Sequence, residues 1–278
     1  MNSTTVSGRR ILTYVILGLV AGALSGMFGV GGGIIIVPLL VMLAHFAQRR
    51  AQATSLSAIV IIACAGAIPY VARTGMNWPV VAIIAAGGIT GSFIGSSLVQ
   101  RIHEGILKVI FALVALTAAI QLILPRMSGT SDHFGALTLL SVGEYVLAGL
   151  AMGLLSPLVG VGGGVVLVPL LIFLVGLQQH VAQGISLVVL VPVSLMGSVR
   201  GARVGNVDWL AAACLGVGGV VASPLAAQLA LGIPSPVLSA LFAILLLVSA
   251  IQIGVAGITA LRKRRHPVDQ EGTEHQGA

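Results

Sequence analysis

The sequence predicts an all-α polytopic membrane protein made of two inverted repeats of about five hydrophobic segments each, with a short broken helix in each repeat. Three observations predict it. The 278 residues are 57% hydrophobic and only 8% charged, with a mean hydropathy of +1.10, whereas soluble domains carry about 25% charged residues. Apolar runs long enough to cross a bilayer, roughly 17–25 residues each, recur along the whole length. The chain also overlays itself without a gap, at an offset of 131 residues, from about Gly18 to Gln121.

The segments follow in order. Residues 11–28, 33–46, 53–71, 78–99 and 106–124 form the first set, and 139–159, 164–177, 184–199, 209–231 and 236–261 the second. Residues 1–124 are therefore read as the first transmembrane repeat, 125–136 as a polar linker, 137–261 as the second repeat, and 262–278 as a basic, disordered C-terminal tail. Arg9 and Arg10 ahead of the first segment would suit a signal peptide. That segment has a counterpart deep in the chain, so it is read as a retained span. Between residues 18 and 43, 15 of 26 positions match those between 149 and 174. The register then holds through Gln48/Gln179, Gln52/Gln183, Ser55/Ser186, Trp78/Trp209, Gly88/Gly219, Ser92/Ser223, Phe111/Phe242 and Gln121/Gln252. A repeated membrane unit is a transporter pattern.

Charge orients the spans. With the N-terminus inside and sides alternating, Arg9, Arg10, Arg49, Arg50, Arg101, Lys108, Arg200, Arg203, Arg262, Lys263, Arg264 and Arg265 fall inside, and only Arg73 and Arg126 outside. The positive-inside rule then puts both termini in the cytoplasm of a multi-pass membrane protein. Each unit crosses an odd number of times, so the second is upside down relative to the first. The net charge of +7 is accounted for by these loops rather than by nucleic acid. Trp78 and Trp209 open their segments as interface anchors.

The second segment of each copy is only about 14 residues, roughly 21 Å of helix against a hydrocarbon core of about 30 Å. Each follows a glycine cluster, "SGMFGVGGGIIIVPLL" and "SPLVGVGGGVVLVPLL". A helix that stops inside a membrane leaves end groups that lipid cannot satisfy, so such backbone lines a protein cavity. Gly29, Gly31, Gly32 and Gly33, with Gly160, Gly162, Gly163 and Gly164, are candidate substrate-lining breaks. The short helices start there with their partial positive ends, which suits an anion. Pro38 and Pro169 would kink the short helices and free a carbonyl near Ile34 or Val165. Ser25, Ser156, Gln52, Thr54, Ser55, Gln183 and Ser186 are the polar groups within reach, able to hold oxyanion oxygens or to cap the next helix.

Other glycine rows, Gly18/Gly22/Gly26 and Gly87/Gly91/Gly95, read as close helix packing, and they also permit a homodimer. All seven acidic residues lie in loops, at segment ends or in the tail, so no cation or proton relay is visible and a coupling ion cannot be named. The pair of acids a membrane hydrolase would need is missing too. No His, Cys, Asp and Glu cluster has metal-ligand spacing, and no cofactor is expected. His45 and His180, at the ends of the short segments, read as interfacial or gating residues. Cys64 and Cys214 read as small apolar packing residues. Arg200 and Arg203 follow a span and serve topology or attract anions.

The two stretches "GLVAGALSGMFGVGGGIIIVPLLVML" and "GLAMGLLSPLVGVGGGVVLVPLLIFL", followed by "AQATSL" and "AQGISL", resemble the sulfite exporter TauE/SafE family of bacterial membrane permeases. The resemblance runs from about Gly18 to Ile253. It implies a permease of the bacterial inner membrane for small sulfur-containing anions such as sulfite, sulfonates or sulfoacetate. Two positions depart: Pro157 stands opposite Gly26, and Ile185 opposite Thr54. The expected function is therefore non-enzymatic: alternating access for a small anion around glycine-broken helices in a lipid bilayer. A channel-like anion pore, or a membrane subunit without transport, is the alternative.

Overall fold

Uninterrupted apolar stretches satisfy their backbone polar groups within themselves only as helices, and that is the form they take. The computed structural model describes residues 8–98, 104–123, 138–160 and 162–265. Ten helices lie among them: α1 (Gly8–Phe28), α2 (Gly33–Ala44), α3 (Gln48–Arg73), α4 (Trp78–Leu98), α5 (Glu104–Ile123), α6 (Leu139–Val159), α7 (Gly164–Val175), α8 (Gln179–Arg203), α9 (Trp209–Leu231) and α10 (Ser235–Arg265). Seven of these are long and apolar enough to cross a membrane. Large apolar side chains face outward around the bundle, among them Met42, Ile68, Leu147, Val217 and Leu229. A lipid-facing surface has that composition, and a soluble monomer does not.

Several boundaries differ from expectation. Helix α3 starts at Gln48 rather than 53, and α8 at Gln179 rather than 184, because the Gln and Arg residues that looked like loop continue the helix for a further turn. Helix α10 runs to Arg265, past the expected end at 261. The remainder of the expected tail and the linker at 125–136 lie outside the described residues.

The caps repeat along the chain. Asn77 Oδ1 accepts from the Val80 N–H at the start of α4 (3.3 Å), and Asp208 Oδ1 accepts from the Ala211 N–H at the start of α9 (3.0 Å). These residues are 131 apart and each precedes its tryptophan; Trp78 and Trp209 are both more than half exposed. Packing repeats in the same way. Helix α1 lies along α9, and α6 along α4; α3 runs against α9, and α8 against α4; α3 crosses α8, and α5 pairs with α10.

The glycine rows make these close approaches. Gly22 faces Gly219, where a methyl group would sit 2.6 Å from the Gly219 Cα. In the other pair, Gly91 and Gly95 of α4 face Leu150 and Leu154 of α6. Both rows are thus used between helices of one chain. Cys64 is exposed on the outside of α3, not packed within, and Cys214 is half-buried; both are free thiols.

Candidate functional site

The centre of the molecule is the pair of breaks. Helix α1 ends at Phe28 and α2 begins at Gly33; α6 ends at Val159 and α7 begins at Gly164. The short helices have 12 residues each, about 18 Å at 1.5 Å per residue. Gly32 and Gly163 cap them with φ of 74° and 80°, the left-handed region where a side chain costs roughly 1–2 kcal/mol. There is no room for one either. A methyl group at Gly32 would lie 2.5 Å from the Ala21 carbonyl oxygen, and one at Gly163 2.5 Å from the Met152 carbonyl oxygen.

A broken helix leaves carbonyls without partners in a medium that offers none. Here the opposite half supplies most of them. Ser186 Oγ donates to the Gly29 carbonyl (2.7 Å), and Ser55 Oγ donates to the Gly160 carbonyl (2.9 Å). Gln52 Nε2 donates to the Leu158 carbonyl (2.9 Å). The Tyr70 hydroxyl lies 2.8 Å from the Gly26 carbonyl and 3.0 Å from Gln183 Oε1. Within each break, the Gly29 N–H returns to the Ser25 carbonyl (2.8 Å) and the Gly160 N–H to the Ser156 carbonyl (2.9 Å).

The two breaks also touch. A methyl group at Gly164 would lie 2.6 Å from the Gly29 carbonyl oxygen and 2.8 Å from the Val30 Cα. Gly29 abuts Gln183, and Gly160 abuts Gln52; Gly31 and Gly162 both press on Ile59 and Leu190. These glycines are packing surfaces of the described conformation. Phe28 stacks on Phe242 at 5.6 Å, beside the first break.

Of the residues singled out in the sequence, Gly33, Pro38 and Gln52 line one cavity of about 260 Å³. It runs beside α2 from Gly33 to Met42, about 14 Å of helix. Gln48, Lys108, Ser249 and Gln252 supply the rest of its polar wall, and Leu158 its floor. Gln52 also lines a second cavity of about 400 Å³, bordered by Arg49, Arg200 and Arg203.

Thr54 serves elsewhere: its Oγ1 accepts from the Asp208 N–H (3.0 Å), tying α3 to the start of α9. Pro169 is buried in α7. Ser25 Oγ, Ser156 Oγ and Gln183 Nε2 are buried with no hydrogen-bond partner among the described residues. His45 ends α2 in the left-handed region, with φ of 56°. His180 stands between the Ala230 carbonyl (3.0 Å) and Ser235 Oγ (3.1 Å), at the rim of an 870 Å³ depression that also includes Arg73. Arg200 is held by the Phe93 carbonyl (3.0 Å), Ser96 Oγ (2.9 Å) and Ser97 Oγ (2.7 Å), and its guanidinium lies 3.7 Å over the Phe93 ring.

Sequence reasoning missed Lys108 and Tyr70 as participants. Lys108 counted only toward topology, and nothing in its neighbourhood pointed inward. Tyr70 carried a usable signal, a phenol late in an apolar segment directly after Pro69. Gln48 and Gln252 were visible as repeat-matched polar residues, but their direction was not.

Helices that break inside the bundle, glycine caps and cavities leading to one break define a polytopic membrane protein of transporter type. The chain belongs to the sulfite exporter TauE/SafE family of membrane transporters, whose model matches residues 4–122 and 145–276. It is similar to the probable membrane transporter protein YunE of Bacillus subtilis, 28% identical over 222 residues, covering 72% of this chain and 81% of that protein. A probable membrane transporter protein of Xylella fastidiosa is 30% identical over 242 residues, covering 85% of this chain and 91% of the relative. One of Haemophilus influenzae is 31% identical over 168 residues, covering 58% of this chain and 62% of the relative.

Proposed function

We propose that this protein carries a small sulfur-containing anion, of the sulfite, sulfonate or sulfoacetate type, across the bacterial inner membrane by alternating access around its two broken helices. The observation that carries this reading is the 260 Å³ cavity that ends at Gly33, the first residue of α2. The Ile35 N–H already bonds the Gly32 carbonyl (3.1 Å), but the Gly33 and Ile34 N–H groups precede the first intrahelical bond, and their end of the helix is partially positive. An anion there would also meet the Gln48, Gln52 and Gln252 amides.

The family's name supports sulfur oxyanions as the substrate class. The twelve-to-two distribution of Lys and Arg supports cytoplasmic termini and units of opposite orientation. The repetition of caps, helix pairs and break hydrogen bonds at one offset supports a moving pair of related halves. In such a cycle Ser55, Ser186 and Gln52 would exchange break carbonyls for substrate oxygens, and the Gln183 amide nitrogen, without a partner among the described residues, would gain one.

Counterflow in proteoliposomes tests it. Vesicles loaded with unlabelled sulfite, taurine, sulfoacetate or sulfate receive the labelled counterpart outside. Transient accumulation of at least one sulfur anion, beyond protein-free vesicles, is expected. Flux that neither saturates nor shows counterflow would assign the protein as a pore, and no flux from folded protein would remove the anion reading.

A further inference from the structure

We propose that the 400 Å³ cavity between α3 and α8 is a binding site for an oxyanion carrying two negative charges, held by Arg49, Arg200 and Arg203 beside Gln52. This rests on the transport reading above and names the charge of the substrate and the place where it is held on the cytoplasmic side.

Helical spacing builds the cavity. Arg49, Gln52, Ala53 and Leu56 follow at intervals of three and four, so they share one face of α3, and Gly197, Arg200 and Gly201 do the same on α8. No carboxylate is among the described lining residues. Arg49 and Arg203 are exposed, and neither has a hydrogen bond or ion pair among the described residues; Asp208 is spent on Arg50. Arg200 is fixed instead. Its Nη1 alone makes all three bonds to the end of α4, and the Phe93 ring lies against its guanidinium. Its Nη2 and Nε donors have no partner among the described residues. A cation that only orients the chain in a membrane needs no such fixing, whereas one that presents a planar fork to a ligand gains from it.

The opposite end of the same helix pair shows what keeps this cavity open. At the offset of 131 residues, Tyr70 corresponds to Gly201, and Gln183 to Gln52. Tyr70 is fully buried, its hydroxyl lies against the Gly26 carbonyl and Gln183, and a methyl group at Gly184 would sit 2.9 Å from its Cβ. The depression at that end reaches His180 and Val181 but not Gln183. Gly201 brings no side chain into the corresponding space, and the cavity there reaches Gln52. Gln52 also lines the cavity beside α2, so the two cavities meet at that residue, next to the broken helix.

Charge then selects the occupant. A cleft lined by one sign of charge concentrates the opposite ion, and each arginine attracts a dianion twice as strongly as a monoanion. A sulfate-like group has oxygens enough to accept from more than one guanidinium fork. A phospholipid headgroup offers similar oxygens with a single charge, and the inward reach to the buried Gln52 favours the free ion.

Anion-induced thermal stabilisation tests the site without transport. The purified, delipidated protein is melted at constant ionic strength, set with sodium chloride, against sulfate, sulfoacetate, methanesulfonate and a short-chain phosphatidylglycerol. A ligand of the folded state raises the midpoint saturably. Sulfate and sulfoacetate should act at concentrations about tenfold lower than methanesulfonate. Arg49→Gln and Arg203→Gln, both at exposed positions, should each raise the half-saturating concentration of the dianions about five- to tenfold. Arg49→Lys and Arg203→Lys should raise it less, and Arg73→Gln, at the opposite end, should leave it unchanged. The readout is the shift that the anion adds, so a lower basal midpoint does not imitate the result. No saturable rise with either dianion, no preference over methanesulfonate, or a rise indifferent to both Gln substitutions would overturn the site; a rise with phosphatidylglycerol alone would overturn it too, by making the cavity a headgroup seat. Arginine-dependent binding without counterflow of any sulfur anion would keep the site and remove the transport reading, and counterflow without such binding would do the opposite.

Discussion

Ser186 donates its hydroxyl to the carbonyl of Gly29 across 2.7 Å. The two residues are 157 positions apart, in different halves of the chain. The bond closes the break between α1 and α2 from outside that segment, and Ser55 does the same for the break between α6 and α7 through Gly160. Each half therefore completes the backbone of the other. Separate expression of one half would leave its broken helix with unpaired carbonyls in the membrane.

Removing either hydroxyl should destabilise the folded protein. Ser55→Ala or Ser186→Ala leaves a buried carbonyl unpaired, at a cost of about 1–3 kcal/mol. Thermal unfolding of the purified protein in detergent should show a lower midpoint for each, with Ser186→Ala and Ser55→Ala similar to one another. An unchanged midpoint would mean that these bonds do not hold the breaks.

Glycine caps should tolerate no side chain. Gly32→Ala and Gly163→Ala each combine left-handed backbone with a methyl group 2.5 Å from a carbonyl oxygen. Strain of about 1–2 kcal/mol adds to overpacking of about 1–3 kcal/mol. Both variants should lose most of the monodisperse peak in size-exclusion chromatography, whereas Gly75→Ala, with open space around it, should not.

Tyr70→Phe removes one hydroxyl that serves both Gly26 and Gln183. It should lower stability by about 1–3 kcal/mol. A thermal midpoint equal to the parent would show that the phenol is not needed to satisfy the end of α1.

At the start of α9 two roles of Asp208 can be separated. Its ion pair with Arg50 (2.8 Å) joins side chains 51% and 23% exposed, and pairs in water contribute about 0–1 kcal/mol. Its N-cap bond to Ala211 contributes about 0.5–2 kcal/mol. Asp208→Ala should therefore destabilise more than Arg50→Ala in the same melt, and Asp208→Asn should recover most of the difference. Equal losses from Arg50→Ala and Asp208→Ala would assign the effect to the ion pair.

Much of the architecture was legible because it is written in local chemistry. The apolar segments, the glycine clusters and the break after Phe28 follow from helix propensity and from what lipid will accept, and the repeat at 131 residues doubled every such signal. Helix starts were less legible. Gln48, Arg49 and Arg50 looked like a loop by polarity, yet they continue α3 because straight-chain polar residues are good helix formers.

The candidate site divides along the same line. By itself the sequence determined that α2 and α7 are short, that glycines precede them, and that serines and glutamines stand near, since each of these is a property of a few consecutive residues. Only the tertiary structure decided where those groups point. Ser55 and Gln52 serve the opposite break, Thr54 serves Asp208, and the cavity beside α2 draws Lys108 and Gln252 from helices more than sixty residues away. Direction of that kind depends on how distant helices pack face to face, and hydrophobic patterning within one segment carries no record of it.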